Sequence, residues 1–190
     1  TGFEMIAEAM KTDAPLRKNL LSRLRMFFYS GAGLSQPVWD SLHATQEAEL
    51  GERIVMATGL GMTESAPSAM FVNSIDVKAG DIGAPVPGMT LKLVPVDGKT
   101  EVRYRGPNVT PGYWRTDAAT RDAFDEEGYL CTGDAVLWID PDNIHRGLKF
   151  DGRIAEDFKL STGTFVSVGP MRAKAIMAGS PYVQDVVLTG

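Results

Sequence analysis

After Ser74 the sequence changes texture, and that change limits the folds open to the chain. The stretch "GDIGAPVPGMTLKLVPVDGKTEVRYRGPNVTPGYW" alternates polar and apolar residues between glycine and proline turns, and "GYLCTGDAVLWID" continues the pattern. Period-two alternation with frequent turns predicts antiparallel strands forming a small barrel or curled sheet. Before Ser74 the pattern is of another kind. Residues 3–24 read as helix, and "RMFFYSGAGLS" reads as a short buried strand ending at Gly31-Ala32-Gly33. Ser35 to Leu50 combines a serine cap, an early proline and apolar spacing, so it reads as a second helix. "RIVMATGLG" is another β-rich run closed by glycines. Strand–helix–strand alternation predicts a largely parallel sheet covered by helices, and in such sheets ligands collect at the carboxyl ends of strands. The fold class is α/β. Boundaries are expected at residues 1–74, a β-rich part at 75–151, a charged connector at 152–158, and a further region from 159 to 190 with a helix from Pro170 to Ala178.

The net charge of −5 argues against nucleic acid or an anionic membrane surface as partner. The basic cluster Arg17, Lys18, Arg23 and Arg25 is local and lies on a helical pattern of leucines, which reads as a solvated face. The single cysteine, Cys131, excludes an internal disulfide and fits a reducing compartment such as the cytoplasm. No apolar run approaches the ~20 residues of a membrane helix. The chain opens at Thr1 and stops in "YVQDVVLTG", which reads as a strand within a sheet, so a longer parent protein is expected.

The candidate chemistry begins at "ATGLGMTESAPSAMF", Ala57 to Phe71. Gly59 and Gly61 could open a dinucleotide-binding fingerprint, but Glu64 stands where its third glycine belongs. A carboxylate there would repel a pyrophosphate seated on bare N–H groups, unless a divalent cation sits between them. Asp134, in "GDA" after a strand, reads as a turn residue or as a carboxylate for a ribose diol. Arg153 alone reads as a surface charge. Asn108-Val-Thr110 matches a glycosylation acceptor by chance, Asp140 and Asp142 lack the rest of a calcium loop, and His43 and His145 have no ligand cluster around them.

Taken in order, "GLGMTES", "DIGAPVPGM", "GYLCTGD" and "DGRIAEDFKLSTGTFV" resemble the core motifs of the acyl-adenylate-forming enzymes. The resemblance covers nearly the whole chain. Within it, "MFFYSGAGLSQPVWD", "GLGMTESAP" and "RGLKFDGRIAEDFKLSTGTFVSVGP" are most similar to feruloyl-CoA synthases, which activate hydroxycinnamic acids. The resemblance implies the later part of a large N-terminal domain, with a parallel sheet, helices and a β-barrel-like subdomain, followed by the start of a small α+β C-terminal domain. It implies ATP, Mg²⁺, coenzyme A and a small carboxylic acid as ligands. Thr63 then contacts phosphate, Glu64 holds the Mg²⁺ of MgATP, and Asp134 binds the ribose hydroxyls. Arg153 lies at the nucleotide on the connector, and Lys159 matches a frequent lysine of the C-terminal domain. Gly31, Ala32 and Gly33 line the adenine and acyl groove. Gly59, Leu60, Gly61 and Met62 lie along the nucleotide, and Gly59, Gly61 and Pro67 along the acyl group. Leu60 replaces an aromatic that often stacks on adenine, and Ala155 replaces the usual charged hinge residue, leaving Gly152, Glu156 or Asp157 to bend. The family's phosphate-binding loop and terminal catalytic lysine have no counterpart in these 190 residues. The chain by itself is therefore expected to bind nucleotide weakly at most.

Overall fold

The computed structural model describes every residue except Thr1, Ala32, Asn73, Gly163, Ser180, Pro181, Gln184 and Gly190, together with all side chains of the described residues but those of Lys159, Phe165 and Pro170. It divides into two units, Thr1–Thr58 with Asn73–Gly80, and Gly59–Val72 with Asp81–Gly190.

In the first unit, α1 (Gly2–Thr12) and α2 (Ala14–Leu21) replace the single helix expected over residues 3–24. Asp13 causes the break. Its carboxylate accepts the Leu16 N–H at 2.9 Å as the cap of α2, and Pro15 lacks the N–H needed to continue α1. β1 (Met26–Phe28) and β2 (Val55–Ala57) pair in parallel around α3 (Gln36–Leu50), as strand–helix–strand alternation predicts. β1 is buried only at Phe27, because its two flanking side chains point to the opposite face, so the expectation of a wholly buried strand fails. Trp39 and Leu42 of α3 form the core with Phe27 and Met56. Tyr29 and Trp39 meet edge to face at 5.6 Å, and His43 packs on Trp39, so this histidine is structural. Burial pushes the His43 pKa down. Arg17 is bound to Glu49 and to the Met10 carbonyl, so the basic helix face is partly internal.

The second unit is an antiparallel sheet of seven strands in the order β3-β4-β5-β9-β8-β7-β6. These are β3 (Gly59–Leu60), β4 (Met70–Phe71), β5 (Asp81–Pro85), β6 (Thr90–Val96), β7 (Lys99–Arg105), β8 (Leu130–Trp138) and β9 (Leu148–Arg153). Met70, Ile82, Val102, Leu130, Val136 and Leu148 give it one apolar core. The curled antiparallel sheet is as the alternating texture predicts, with α4 (Asp117–Ala123) between β7 and β8. Beyond it come a two-stranded hairpin of β10 (Phe158–Lys159) and β11 (Phe165–Val166), then α5 (Val168–Gly179), which begins two residues before the expected Pro170. Among the described residues of the terminal run, 182, 183 and 185–189 form no strand. β-branched composition alone does not make a strand without a neighbouring ladder, and none is offered to it by the described strands.

Lys99, at the start of β7, fastens the connector to this sheet. Its buried ammonium lies 2.6 Å from Asp157 Oδ2 and 3.5 Å from Asp151 Oδ2, and it donates to the Asp151 carbonyl. The approach to Oδ2 is close but off hydrogen-bond alignment. Asp157 Oδ1 accepts the Val168 N–H at 2.8 Å, which ties in the first turn of α5. Among the described residues, no helix is long and apolar enough to cross a membrane.

Candidate functional site

Thr63, Glu64 and Ser65 form one short 3-10 turn directly after β3. The two glycines before it are required by the chain itself. A Cβ on Gly59 would lie 2.1 Å from the Met70 carbonyl oxygen, and one on Gly61 would lie 1.7 Å from that of Pro67. The returning segment thus packs backbone against backbone, a closeness only glycine permits. Ser65 is fully buried inside the turn. Its Oγ accepts the Met62 N–H at 3.0 Å and lies 3.0 Å from the carbonyls of Met62 and Pro67. Ala66 closes the turn in the left-handed region at φ 54°. Thr63 is left exposed and Glu64 half-buried.

A second loop, between β7 and α4, grips this turn. Asn108 Nδ2 donates to the carbonyls of Ser65 at 2.7 Å and Ser68 at 2.8 Å. The Thr110 N–H donates to the Glu64 carbonyl at 2.8 Å, and the Tyr113 hydroxyl donates to Glu64 Oε1 at 2.8 Å. That last bond raises the Tyr113 pKa. None of these three residues was identified as functional from sequence. The available signal was an asparagine in a proline- and glycine-rich loop, the residue type whose amide most readily satisfies nearby backbone. The same loop lines a cavity of about 270 Å³ with Arg105, Phe124 and Gly128.

Asp134 departs from its expected place. It lies inside β8, not at a turn after it, because the strand continues to Trp138 through a bulge between Asp134 and Val136. The extra residue of this bulge is on β9, where Gly152 stands at φ 91°, and Gly133, at φ 69°, lies in the neighbouring irregularity between β7 and β8. Asp134 is 2% exposed. Its cross-strand neighbour is Arg153, whose Nε lies 3.2 Å from Oδ1. Burial raises the Asp134 pKa, and Arg153 opposes that shift. Beside it on β7, Tyr104 is fully buried with no hydrogen-bond partner for its hydroxyl among the described residues, and burial raises its pKa strongly.

The predicted site residues therefore gather into two groups within the second unit. Gly59, Leu60, Gly61, Met62, Thr63, Glu64 and Pro67 belong to one turn, and Asp134 and Arg153 to one cross-strand pair. Three strands separate β3 from β8 in the sheet order. Four inter-strand steps span about 19 Å of flat sheet, and a twist of about 20–25° per step swings the outer strands toward a right angle. Gly31 and Gly33 lie in the first unit. Ala32 and the side chain of Lys159 lie outside the described residues.

Residues 1–114 match the family model described as AMP-binding enzyme. Over 183 residues the chain is 31% identical to long-chain-fatty-acid–CoA ligase 1 of Homo sapiens, covering 92% of this chain and 24% of that protein. Over 178 residues it is 30% identical to the probable 4-coumarate–CoA ligase 1 of Dictyostelium discoideum, covering 90% of this chain and 30% of that protein. The chain thus spans between about a quarter and a third of the length of these relatives. Among solved structures, a malonyl-CoA ligase product complex with methylmalonyl-CoA and AMP bound superposes with a TM-score of 0.62 at 32% identity, over 99% of this chain and 39% of that one. The anthranilate CoA ligase AuaEII, in complex with anthranoyl-AMP, gives 0.68 at 25% identity over 94% of this chain and 33% of that one. The α/β fold is that of the adenylate-forming enzymes' N-terminal domain. With the family match spanning more than half of its residues, the chain belongs to the AMP-binding enzyme family.

Proposed function

We propose that the full-length protein carrying this chain is an acid–CoA ligase acting on a hydroxycinnamate such as ferulate. The carboxylate attacks the α-phosphate of ATP, giving acyl-AMP and pyrophosphate, and the coenzyme A thiolate then displaces AMP to form the thioester. The observation that carries this reading is the construction of the Thr63–Glu64 turn. An exposed hydroxyl and a carboxylate stand side by side on backbone held at both ends. Such a turn meets the needs of a reaction in which an anion must approach an anionic triphosphate, where fixed positions and charge neutralisation supply most of the catalysis.

Thr63 is assigned to a phosphate oxygen, and Asp134 with Arg153 to the ribose end of the nucleotide. Gly31, Ala32, Gly33, Gly59, Leu60, Gly61, Met62 and Pro67 are assigned to the groove for adenine and the acyl group, and Lys159 to the C-terminal region. Mg²⁺ suits Glu64. Among the described residues no cluster of three metal-ligating side chains exists, and Mg²⁺ is ordinarily held by one or two carboxylates with water and substrate phosphates completing its shell. When bound, the ion would neutralise phosphate charge. Residues 152–158 are assigned as the connector, and the cytoplasm as the compartment.

The similarity to a long-chain-fatty-acid–CoA ligase favours a second reading, in which the acid is aliphatic. Acid-dependent pyrophosphate release by the full-length protein separates the two. Ferulate is expected to support faster release than palmitate at equal concentration. The reverse order would transfer the assignment to a fatty acid, and no release with either acid would remove both readings in favour of a ligase for another acid, such as a different aromatic one.

A further inference from the structure

We propose that Tyr113 is a positioning residue for Glu64, aiming its carboxylate before any ligand arrives. The inference rests on the reading of Glu64 as the carboxylate that faces the divalent cation. A glutamate on a short turn has several rotamers, and fixing one costs side-chain entropy. The Tyr113 hydroxyl, donating to Oε1 at 2.8 Å, selects one of them and leaves Oε2 for another partner.

Tyr113 is itself held from behind. Its backbone N–H donates to Thr120 Oγ1 of α4 at 2.8 Å, and the Thr110 hydroxyl donates to the Gly112 carbonyl at 2.9 Å. Gly112 sits at φ 145°, where a Cβ would fall 2.4 Å from Thr120 Cγ2, so the loop backbone packs directly against the Thr120 side chain of α4. The line of support runs from α4 through Thr120 to the Tyr113 backbone, and through the phenol to Glu64. Asn108 and the Thr110 N–H fix the turn's backbone separately. A bond from Tyr113 that served only to hold the loop would duplicate those three. Its distinct effect is on the direction of the carboxylate.

Partners of metal-facing side chains typically change affinity by about 10- to 100-fold when removed. The test uses the full-length protein and Mn²⁺ as the probe, with binding to the protein–ATP complex followed by electron paramagnetic resonance. Tyr113→Phe is expected to weaken Mn²⁺ binding about 10-fold. It should raise the half-saturating Mg²⁺ for pyrophosphate release in proportion, with the rate at saturating Mg²⁺ and the Tm nearly unchanged. Glu64→Gln, run in parallel, is expected to weaken Mn²⁺ binding at least as much. If Glu64→Gln weakens binding while Tyr113→Phe leaves it unaltered, the positioning role falls and the reading of Glu64 stands. If neither variant alters it, the reading of Glu64 falls as well. A drop in Tm and rate for Tyr113→Phe with Mn²⁺ binding intact would make the bond a structural tie only, and that too overturns the proposal.

Discussion

Asp134→Asn separates a ligand-binding carboxylate from a structural one, because the structure gives the two roles opposite signatures. The substitution keeps the shape and removes a charge that is 2% exposed and 3.2 Å from Arg153. Two contributions to stability then oppose each other. The attraction to Arg153 is lost, but that side chain is 54% exposed, so the loss should resemble that of a surface ion pair, about 0–1 kcal/mol. The burial of a charge, the larger influence on Asp134, is relieved. Unfolding stability near neutral pH should therefore change by less than about 1 kcal/mol in either direction. The pH dependence has a definite sign. A carboxyl raised above its unfolded value of about 3.9 holds more protons folded than unfolded between the two values. Its contribution to stability is present below that window and is lost as the pH rises through the raised folded value. Asp134→Asn should abolish this decline, so the variant gains on the wild type from about pH 4 upward. Nucleotide binding should respond otherwise. A hydrogen bond to a charged group is worth about 1.5–3 kcal/mol, and asparagine can replace one of the two that a ribose diol would donate. The remaining loss corresponds to about 10- to 100-fold in ATP affinity. Urea unfolding across pH and calorimetric titration of ATP into the full-length protein measure both halves. ATP affinity equal to wild type would remove Asp134 from the nucleotide, and destabilisation above about 3 kcal/mol would make it a structural carboxylate.

Gly61→Ala should destabilise the second unit by about 3 kcal/mol or more, the upper end of overpacking penalties, because the new Cβ meets the Pro67 carbonyl oxygen at 1.7 Å and Asn108 restrains the loop that would have to give way. A loss below about 1 kcal/mol in urea unfolding would show that the turn yields. Lys99→Met should cost about 3–5 kcal/mol by leaving Asp157 buried and unpaired, with hydrogen exchange rising in residues 153–168, and adding Asp157→Leu should recover most of it. Unchanged exchange in that segment would dissociate Lys99 from the connector.

The fold was legible where the information is local. Alternation and turn residues marked β5 to β8, and the proline, serine and apolar spacing around Ser35 marked α3, because each depends on neighbours only a few residues away. What local pattern could not show was where one element gives way to another interaction. Asp13 ends α1 through a side-chain bond to Leu16, a competition between backbone and carboxylate that helical periodicity does not register. Asp134 looked like a turn former because Gly-Asp usually is one, and pairing with β7 on one side and β9 on the other keeps its strand going. The terminal β-branched run shows the converse, strong propensity without a described ladder to realise it.

The candidate site divides along the same line. The residues of "GLGMTES" were visible as a group because they are consecutive, yet the sequence suggested that its glycines admit a ligand. In the structure they admit the chain itself, at the carbonyls of Met70 and Pro67. The two roles are compatible, since a turn folded tightly on its own return buries Ser65 and leaves Thr63 exposed and Glu64 half-buried. What holds that turn comes from residues forty or more positions away. Asn108 reaches Ser65 and Ser68, and Tyr113 reaches Glu64, across the whole of β4 to β7 in chain order. Such partners carry no spacing rule, and Asn108 sat inside a tripeptide whose familiar meaning was a glycan acceptor. On the proposed reading of Glu64 as a carboxylate that meets a cation, it must be aimed as well as present, and the group proposed to aim it, Tyr113, belongs to the β-rich half of the chain. The change of texture at Ser74 is thus more than a boundary between architectures, because the loop at the far end of β7 is what gives the turn after β3 its definite shape.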